Sequence, residues 1–199
     1  MKNNILSSPK KWILIGIPIL FLIGSCMHFL YGFTGDNVII GSIAPVNESV
    51  WEHLKMVLLP VILWWTIYYL AVGERNNIDK NKWFTGALAA LLTALITIPL
   101  LFYFYTGAFG VESLVIDILL LFLALLFGQL AGLHFYKFSK GINSIISISI
   151  LVLLIFLFIL FTFYPPQLPL FIQAMISKYG ILIWDTLYVI KTYFKVVLP

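Results

Sequence analysis

The stretch that decides the fold runs from Ile142 to Tyr164 and reads INSIISISILVLLIFLFILFTFY. Its 23 residues include no Asp, Glu, Lys, Arg or His. At 1.5 Å per residue, a helix of this length covers about 35 Å, which exceeds the hydrocarbon core of a bilayer at about 30 Å. The stretch is therefore predicted to be a transmembrane helix.

Similar apolar runs recur along the rest of the chain. The predicted spans are residues 12–33, 50–72, 83–105, 114–136, 142–164 and a weaker one at 180–197. Asp185, Lys191 and Lys195 interrupt the last run, so a tilted interfacial helix is an alternative to a full crossing there. The sequence predicts an all-α, polytopic transmembrane helix bundle of about six spans, which forms a single domain over residues 1–199.

The composition agrees with a membrane environment. Of the 199 residues, 62% are hydrophobic and 10% are charged, whereas soluble domains are about half apolar and about a quarter charged. The net charge of +4 does not indicate nucleic-acid binding, because the basic residues are spread over short loops. The single cysteine, Cys26, excludes an intramolecular disulfide and a cysteine metal cage. The expected partners are membrane lipids, with a homo-oligomer or a partner membrane protein as further expectations.

The basic residues also indicate the orientation. Ten of the twelve lie before the first span, between spans two and three, between spans four and five, or in the tail: Lys2, Lys10, Lys11, Arg75, Lys80, Lys82, Lys137, Lys140, Lys191 and Lys195. The connections at residues 35–49 and 106–113 contain none. By the positive-inside rule, the amino terminus is predicted to be cytoplasmic and these two connections extracytoplasmic. The extracytoplasmic side is named the outer end below.

Acidic residues and histidines collect at the outer end. His28 lies 16 residues into the first span, which places it about 24 Å along that helix. Glu48, Glu52 and His53 lie where the second span begins, and Asp117 lies just inside the fourth. Ionisable groups at membrane depth are costly and usually mark function. The candidate catalytic residues are therefore His28, Glu52, His53 and Asp117.

Two interpretations of the segment APVNESVWEHLK, residues 44–55, stay open. Glu48 and Glu52 are four residues apart and share a helix face, with His53 beside them, which suits metal ligation or a carboxylate that orients an imidazole base. Alternatively, Ser49 and Glu52 form a capping box at the helix start. No His-Glu-x-x-His motif is present. The candidate ligands for a divalent metal ion such as zinc or manganese are His28, Glu48, Glu52 and His53.

The same segment carries a family resemblance. Together with His28-Phe-Leu-Tyr31, the Tyr105-Thr-Gly107 turn and Phe163-Tyr-Pro-Pro166, it resembles a family of small bacterial integral membrane proteins that is classed as a domain of unknown function. The resemblance covers roughly residues 12–181. It implies a multi-pass protein of the bacterial plasma membrane, and it implies no particular activity.

Three functions remain open at this point. The first is an enzyme of the outer leaflet that acts on a lipid or envelope substrate through acid/base or metal chemistry, with His28, Glu52 and His53 as reactive groups and Asp117 as the orienting residue. The second is a small cation or proton-coupled transporter, which would favour acidic groups at mid-membrane depth. The third is a non-catalytic accessory or assembly subunit. The first is preferred because the ionisable groups lie at the depth of lipid headgroups.

Overall fold

The computed structural model describes residues 8–172, and over this range the chain is helical and contains no strand. Five helical segments are long and apolar enough to cross a membrane: Pro9–Phe33, Val50–Gly73, Lys80–Phe109, Leu114–Phe138 and Ser144–Phe163. They correspond to the first five predicted spans, which confirms the all-α, multi-spanning fold class. The sixth predicted span, residues 180–197, lies outside the described residues.

The helices in chain order are α1 (Pro9–Phe33), α2 (Val38–Gly41), α3 (Val50–His53), α4 (Lys55–Tyr68), α5 (Lys80–Phe109), α6 (Leu114–Phe138) and α7 (Ser144–Phe163). A π-helix at Tyr69–Gly73 continues α4, and a 3-10 turn at Pro169–Phe171 follows α7. The main departure from prediction is that α5 runs one turn beyond Tyr105. It stops at Gly110, whose φ of 65° lies in the left-handed region that glycine adopts without strain.

Small residues set the distance between α5 and α6. A Cβ atom added at Gly128 would lie 2.6 Å from the carbonyl oxygen of Ala90, and one added at Gly86 would lie 2.8 Å from that of Gly132. The two backbones therefore approach as closely as glycine permits, which is the usual way for helices to pack strongly within a membrane. This contact holds the inner halves of α5 and α6 side by side.

Tryptophan side chains join the spans toward the predicted inner end. Trp12 and Trp64 stack with ring centroids 4.1 Å apart, and each indole N–H donates to the backbone carbonyl of the other residue, at 3.1 and 3.3 Å. Trp83 donates to the Trp65 carbonyl at 2.9 Å, and Trp65 donates to Oε1 of Gln129 at 3.2 Å. These bonds connect α1 with α4, and α4 with α5 and α6.

The outer halves of α1 and α4 approach each other at Gly24. A Cβ atom there would lie 2.7 Å from the carbonyl oxygen of Met56. His28 lies one helical turn further along α1, and His53 lies three residues before Met56. The close backbone approach therefore brings the two histidines to the same place at the outer end.

Candidate metal centre

Two histidines and one glutamate form a cluster at the outer end. The rings of His28 and His53 stack with centroids 5.2 Å apart and an interplanar angle of 28°. The Glu48 carboxylate faces both rings, with Oε1 3.9 Å from Nε2 of His28 and Oε2 3.3 Å from Nε2 of His53. One ligand atom from each residue lies within 4.8 Å of the others. These three residues are named the histidine cluster.

The backbone partner of His53 selects the tautomer of its neutral ring. Its Nδ1 lies 2.9 Å from the carbonyl oxygen of Ser49. Because a carbonyl oxygen only accepts, Nδ1 carries the proton and donates it, and Nε2 of the neutral ring keeps its lone pair. Histidines that bind metals usually donate their other ring N–H to a carbonyl or carboxylate in this way. The Nε2 atom of His53 is thereby set up as a ligand.

The histidine cluster can be reached from the outer end. The exposed fractions of the side chains are 25% for His28, 28% for His53 and 58% for Glu48. Within residues 8–172, no lysine or arginine nitrogen lies within 4 Å of the Glu48 carboxylate. In the described part of the chain, the cluster thus presents one carboxylate and two imidazole rings without a lysine or arginine beside them.

Glu52, the second glutamate of the segment, has different partners. Its Oε2 accepts from Nζ of Lys55 at 2.6 Å and from the backbone N–H of Val46 at 3.0 Å. Its Oε1 accepts from the hydroxyl of Thr162 at 3.3 Å. The side chains of Glu52 and Lys55 are only 3% and 1% exposed. The structure therefore places Glu52 in a buried ion pair, and its catalytic role stays a prediction.

Lys55 completes this buried pair, and sequence reasoning missed its importance. Its ammonium group also donates to the carbonyl oxygens of Gly41 and Ala44, at 2.7 and 3.3 Å. An unpaired lysine in an apolar helix is energetically costly. Lys55 follows Glu52 by three residues, so its ammonium group can reach the Glu52 carboxylate on the same helix face. That spacing was the available signal. Lys55 and Glu52 together hold the backbone of residues 41–46.

The helix start is capped without the Glu52 side chain. The Ser49 hydroxyl accepts from the Glu52 N–H at 3.3 Å, as one half of a capping box requires. The other half is supplied by Asn47, whose Oδ1 accepts from the Ser49 N–H at 2.9 Å. The capping interpretation is therefore correct for Ser49, whereas the carboxylate of Glu52 is used by Lys55 instead.

Asp117 belongs to a second polar group at the outer end. The Tyr105 hydroxyl donates to Oδ1 of Asp117 at 2.6 Å and accepts from the Ser113 N–H at 3.3 Å. Asp117 also lies near His53. Burial, with a smaller contribution from the Asp117 charge, raises the pKa of Glu112 in the connecting loop. The sequence analysis placed Tyr105 in the family resemblance but not among the site residues, because a tyrosine at this depth is typical of the membrane interface.

Comparison with known proteins identifies the family. Residues 1–181 match a family of unknown function, DUF6512. The chain belongs to this family. No curated protein and no solved structure matches it. Membership in DUF6512 confirms the resemblance seen in the sequence, and the function has to be argued from the chemistry of the site.

Proposed function

We propose that the protein is a multi-pass protein of the bacterial plasma membrane that binds a divalent transition-metal ion at its extracytoplasmic end. The observation that carries this proposal is the histidine cluster, in which ligand atoms of His28, Glu48 and His53 lie within 4.8 Å of one another. An ion with bonds of about 2 Å to nitrogen and oxygen holds its ligand atoms about 3.3 Å apart at a tetrahedral angle, so the three side chains would close around it by about 1.5 Å. Imidazole and carboxylate together suit zinc or manganese.

The number of ligands favours a catalytic ion over a structural one. Structural zinc sites are closed by four protein ligands, whereas catalytic zinc sites have three, such as two histidines and a glutamate, and keep one position for water or substrate. The histidine cluster offers two histidines and one glutamate among the described residues, and it is partly exposed. An ion held by these three residues would supply an activated water as the nucleophile near neutral pH.

The location of the cluster suggests the substrate class. The cluster lies at the outer end of α1 and α3, where the lipid headgroups of the outer leaflet are expected. We therefore propose hydrolysis of a lipid or lipid-linked envelope substrate. In this reaction His28, His53 and Glu48 hold the ion, and Asp117, fixed by Tyr105, orients the reacting groups. Glu52 supports the site through its contacts with the loop before Glu48.

Metal binding is testable with the purified protein and Co²⁺ as the probe. After removal of metals by a chelator, the wild-type protein should bind one equivalent of Co²⁺ and show the visible absorption of a site with nitrogen and oxygen ligands. The variants His28→Ala and His53→Ala should each lose this signal, and Glu48→Gln should bind Co²⁺ measurably but more weakly. The matched control is His134→Ala, because the third histidine of the chain contacts Phe135 and Phe138 rather than the cluster.

Two results would contradict metal binding: a wild-type protein that takes up no Co²⁺, or a His134→Ala variant that is as defective as His28→Ala. The transporter alternative is separated by a second measurement. Protein reconstituted in vesicles should release product from a lipid substrate without moving metal ions across the bilayer. Metal-ion accumulation inside the vesicles without hydrolysis would favour the transporter, and neither activity despite Co²⁺ binding would favour the accessory subunit.

A further inference from the structure

Among residues 8–172, the two histidines are the polar partners of the Glu48 side chain, which faces both of them. It is 58% exposed, and its contacts among residues 8–172 are those with His28 and His53. A long, exposed carboxylate would ordinarily sample many rotamers and lose entropy on binding an ion. Its backbone must therefore be held in place if Glu48 is to act as a prepared ligand.

The loop before Glu48 is held from one side by the buried ion pair. Lys55 binds the carbonyl oxygens of Gly41 and Ala44, and Glu52 binds the N–H of Val46, two residues before Glu48. These are three backbone contacts made by two side chains that are almost completely buried. The loop has no regular structure between Ser42 and Ser49, so these contacts replace the hydrogen bonds of a helix or sheet.

The same loop is held from the other side by the cap of α3. The Asn47 side chain accepts from the Ser49 N–H, and the Ser49 side chain accepts from the Glu52 N–H. The Ser49 carbonyl oxygen also accepts from the imidazole of His53. Glu48 thus lies between two anchored residues, Val46 and Ser49. The carbonyl oxygen of Ser49 also orients His53, which is a member of the cluster.

From this arrangement we propose that Glu52 and Lys55 are positioning residues that set the metal affinity of the histidine cluster by fixing Glu48. The proposal rests on the metal-binding function argued above. It adds that a buried ion pair outside the cluster controls the affinity for the ion. When side chains that position the direct ligands of a metal ion are removed, the affinity for the ion typically falls about 10–100-fold. The effect must pass through Glu48, because Glu48 is the ligand carried by the anchored loop.

The test removes both charges together, so that no unpaired charge remains buried. In Glu52→Gln/Lys55→Met, Co²⁺ should bind about 10–100-fold more weakly than in the wild type. Amide hydrogen exchange in the segment 42–48 should become faster without added metal. Glu74→Gln/Arg75→Met is the matched control, since it removes one acid and one base from exposed positions at the other end. It should change neither quantity.

A thermodynamic cycle separates positioning from general damage. In a Glu48→Gln background, the same double substitution should weaken the remaining Co²⁺ binding by less than about twofold, because the ligand that it displaces is already absent. An equal fall in both backgrounds would overturn the positioning role. Thr162→Val, which removes the hydroxyl that lies against Glu52 and also bonds the Phe158 carbonyl oxygen, should give a smaller fall in the same direction, and it replaces the double variant if that variant does not fold.

The failures of the two proposals are distinguishable. A wild-type protein without Co²⁺ binding would overturn the metal function and, with it, the positioning role. Wild-type Co²⁺ binding with unchanged affinity in both Glu52→Gln/Lys55→Met and Thr162→Val would overturn the positioning role alone. Faster hydrogen exchange at residues 42–48 with unchanged affinity would show that the loop is held by the pair and that its rigidity does not matter for the ion.

Discussion

Glu48 and Glu52 stand one helical turn apart in the sequence and occupy opposite environments. Glu52 is buried and bonded to an ammonium group, a backbone N–H and a hydroxyl, whereas Glu48 is largely exposed and faces two imidazole rings. A buried carboxylate whose hydrogen bonds are all satisfied has a structural role, because loss of its contacts lowers the stability of the fold. An exposed carboxylate that faces two imidazole rings is available for an ion. Depth and partners, rather than residue type, separate the two roles.

The largest expected effect comes from breaking the buried pair on one side. Lys55→Met leaves the Glu52 carboxylate buried without its counter-charge, which should lower the free energy of unfolding by about 3–5 kcal/mol. Glu48→Gln changes an exposed side chain and should cost less than about 0.5 kcal/mol. Unfolding in detergent with increasing denaturant measures both. Equal losses of stability in the two variants would contradict the conclusion that Glu52 is structural and Glu48 is not.

The spans were predictable because their signal is local. A run such as residues 142–164 has no polar alternative to a membrane helix, so five of the predicted spans are found within a few residues of their expected bounds. The presence of His28 and His53 at the same end also followed from counting along each helix. These inferences needed only the rise per residue of a helix and the distribution of charge.

The partners of each side chain were not predictable in the same way. Glu48 and Glu52 look equivalent in the sequence, and the choice between them depends on a loop that folds back so that the Gly41 carbonyl oxygen reaches Lys55. Likewise, nothing in the sequence distinguishes Gly24 from the other small residues of the spans. In the structure, its contact with the Met56 backbone allows α1 to pack closely against α4. Such tertiary contacts between distant segments leave no periodic trace in a single sequence.

An intermediate effect is expected when the approach of α1 and α4 is altered. Gly24→Ala places a methyl group 2.7 Å from the Met56 carbonyl oxygen, which should cost about 1–3 kcal/mol through overpacking. It should also weaken Co²⁺ binding, because His28 is carried away from His53. Gly32→Ala is the control on the same helix, since its added Cβ meets nothing within 4 Å. Wild-type affinity in Gly24→Ala would show that the cluster does not depend on this contact.

The smallest effect concerns Glu112, a third glutamate at the outer end that is intermediate between the other two. Its Oε1 is buried without a hydrogen-bond partner among the described residues, and burial, followed by the nearby charge of Asp117, raises its pKa above the ordinary value of 4.5. The unfolded chain therefore gives up this proton at lower pH than the folded protein does. As the pH rises past about 4.5, the contribution of Glu112 to the free energy of unfolding falls.

Glu112→Gln removes this penalty, because an amide stays neutral at every pH. The variant should melt about 2 °C above the wild type at pH 7, and the difference should vanish when the pH is lowered below 4.5, where the wild-type carboxyl is protonated in both states. Thermal unfolding in detergent at the two pH values measures it, with the exposed Glu74→Gln as a control that should show no difference at either pH. A variant that is less stable than the wild type at pH 7, but not at low pH, would mean that the Glu112 carboxylate, like that of Glu52, has a partner in the folded protein.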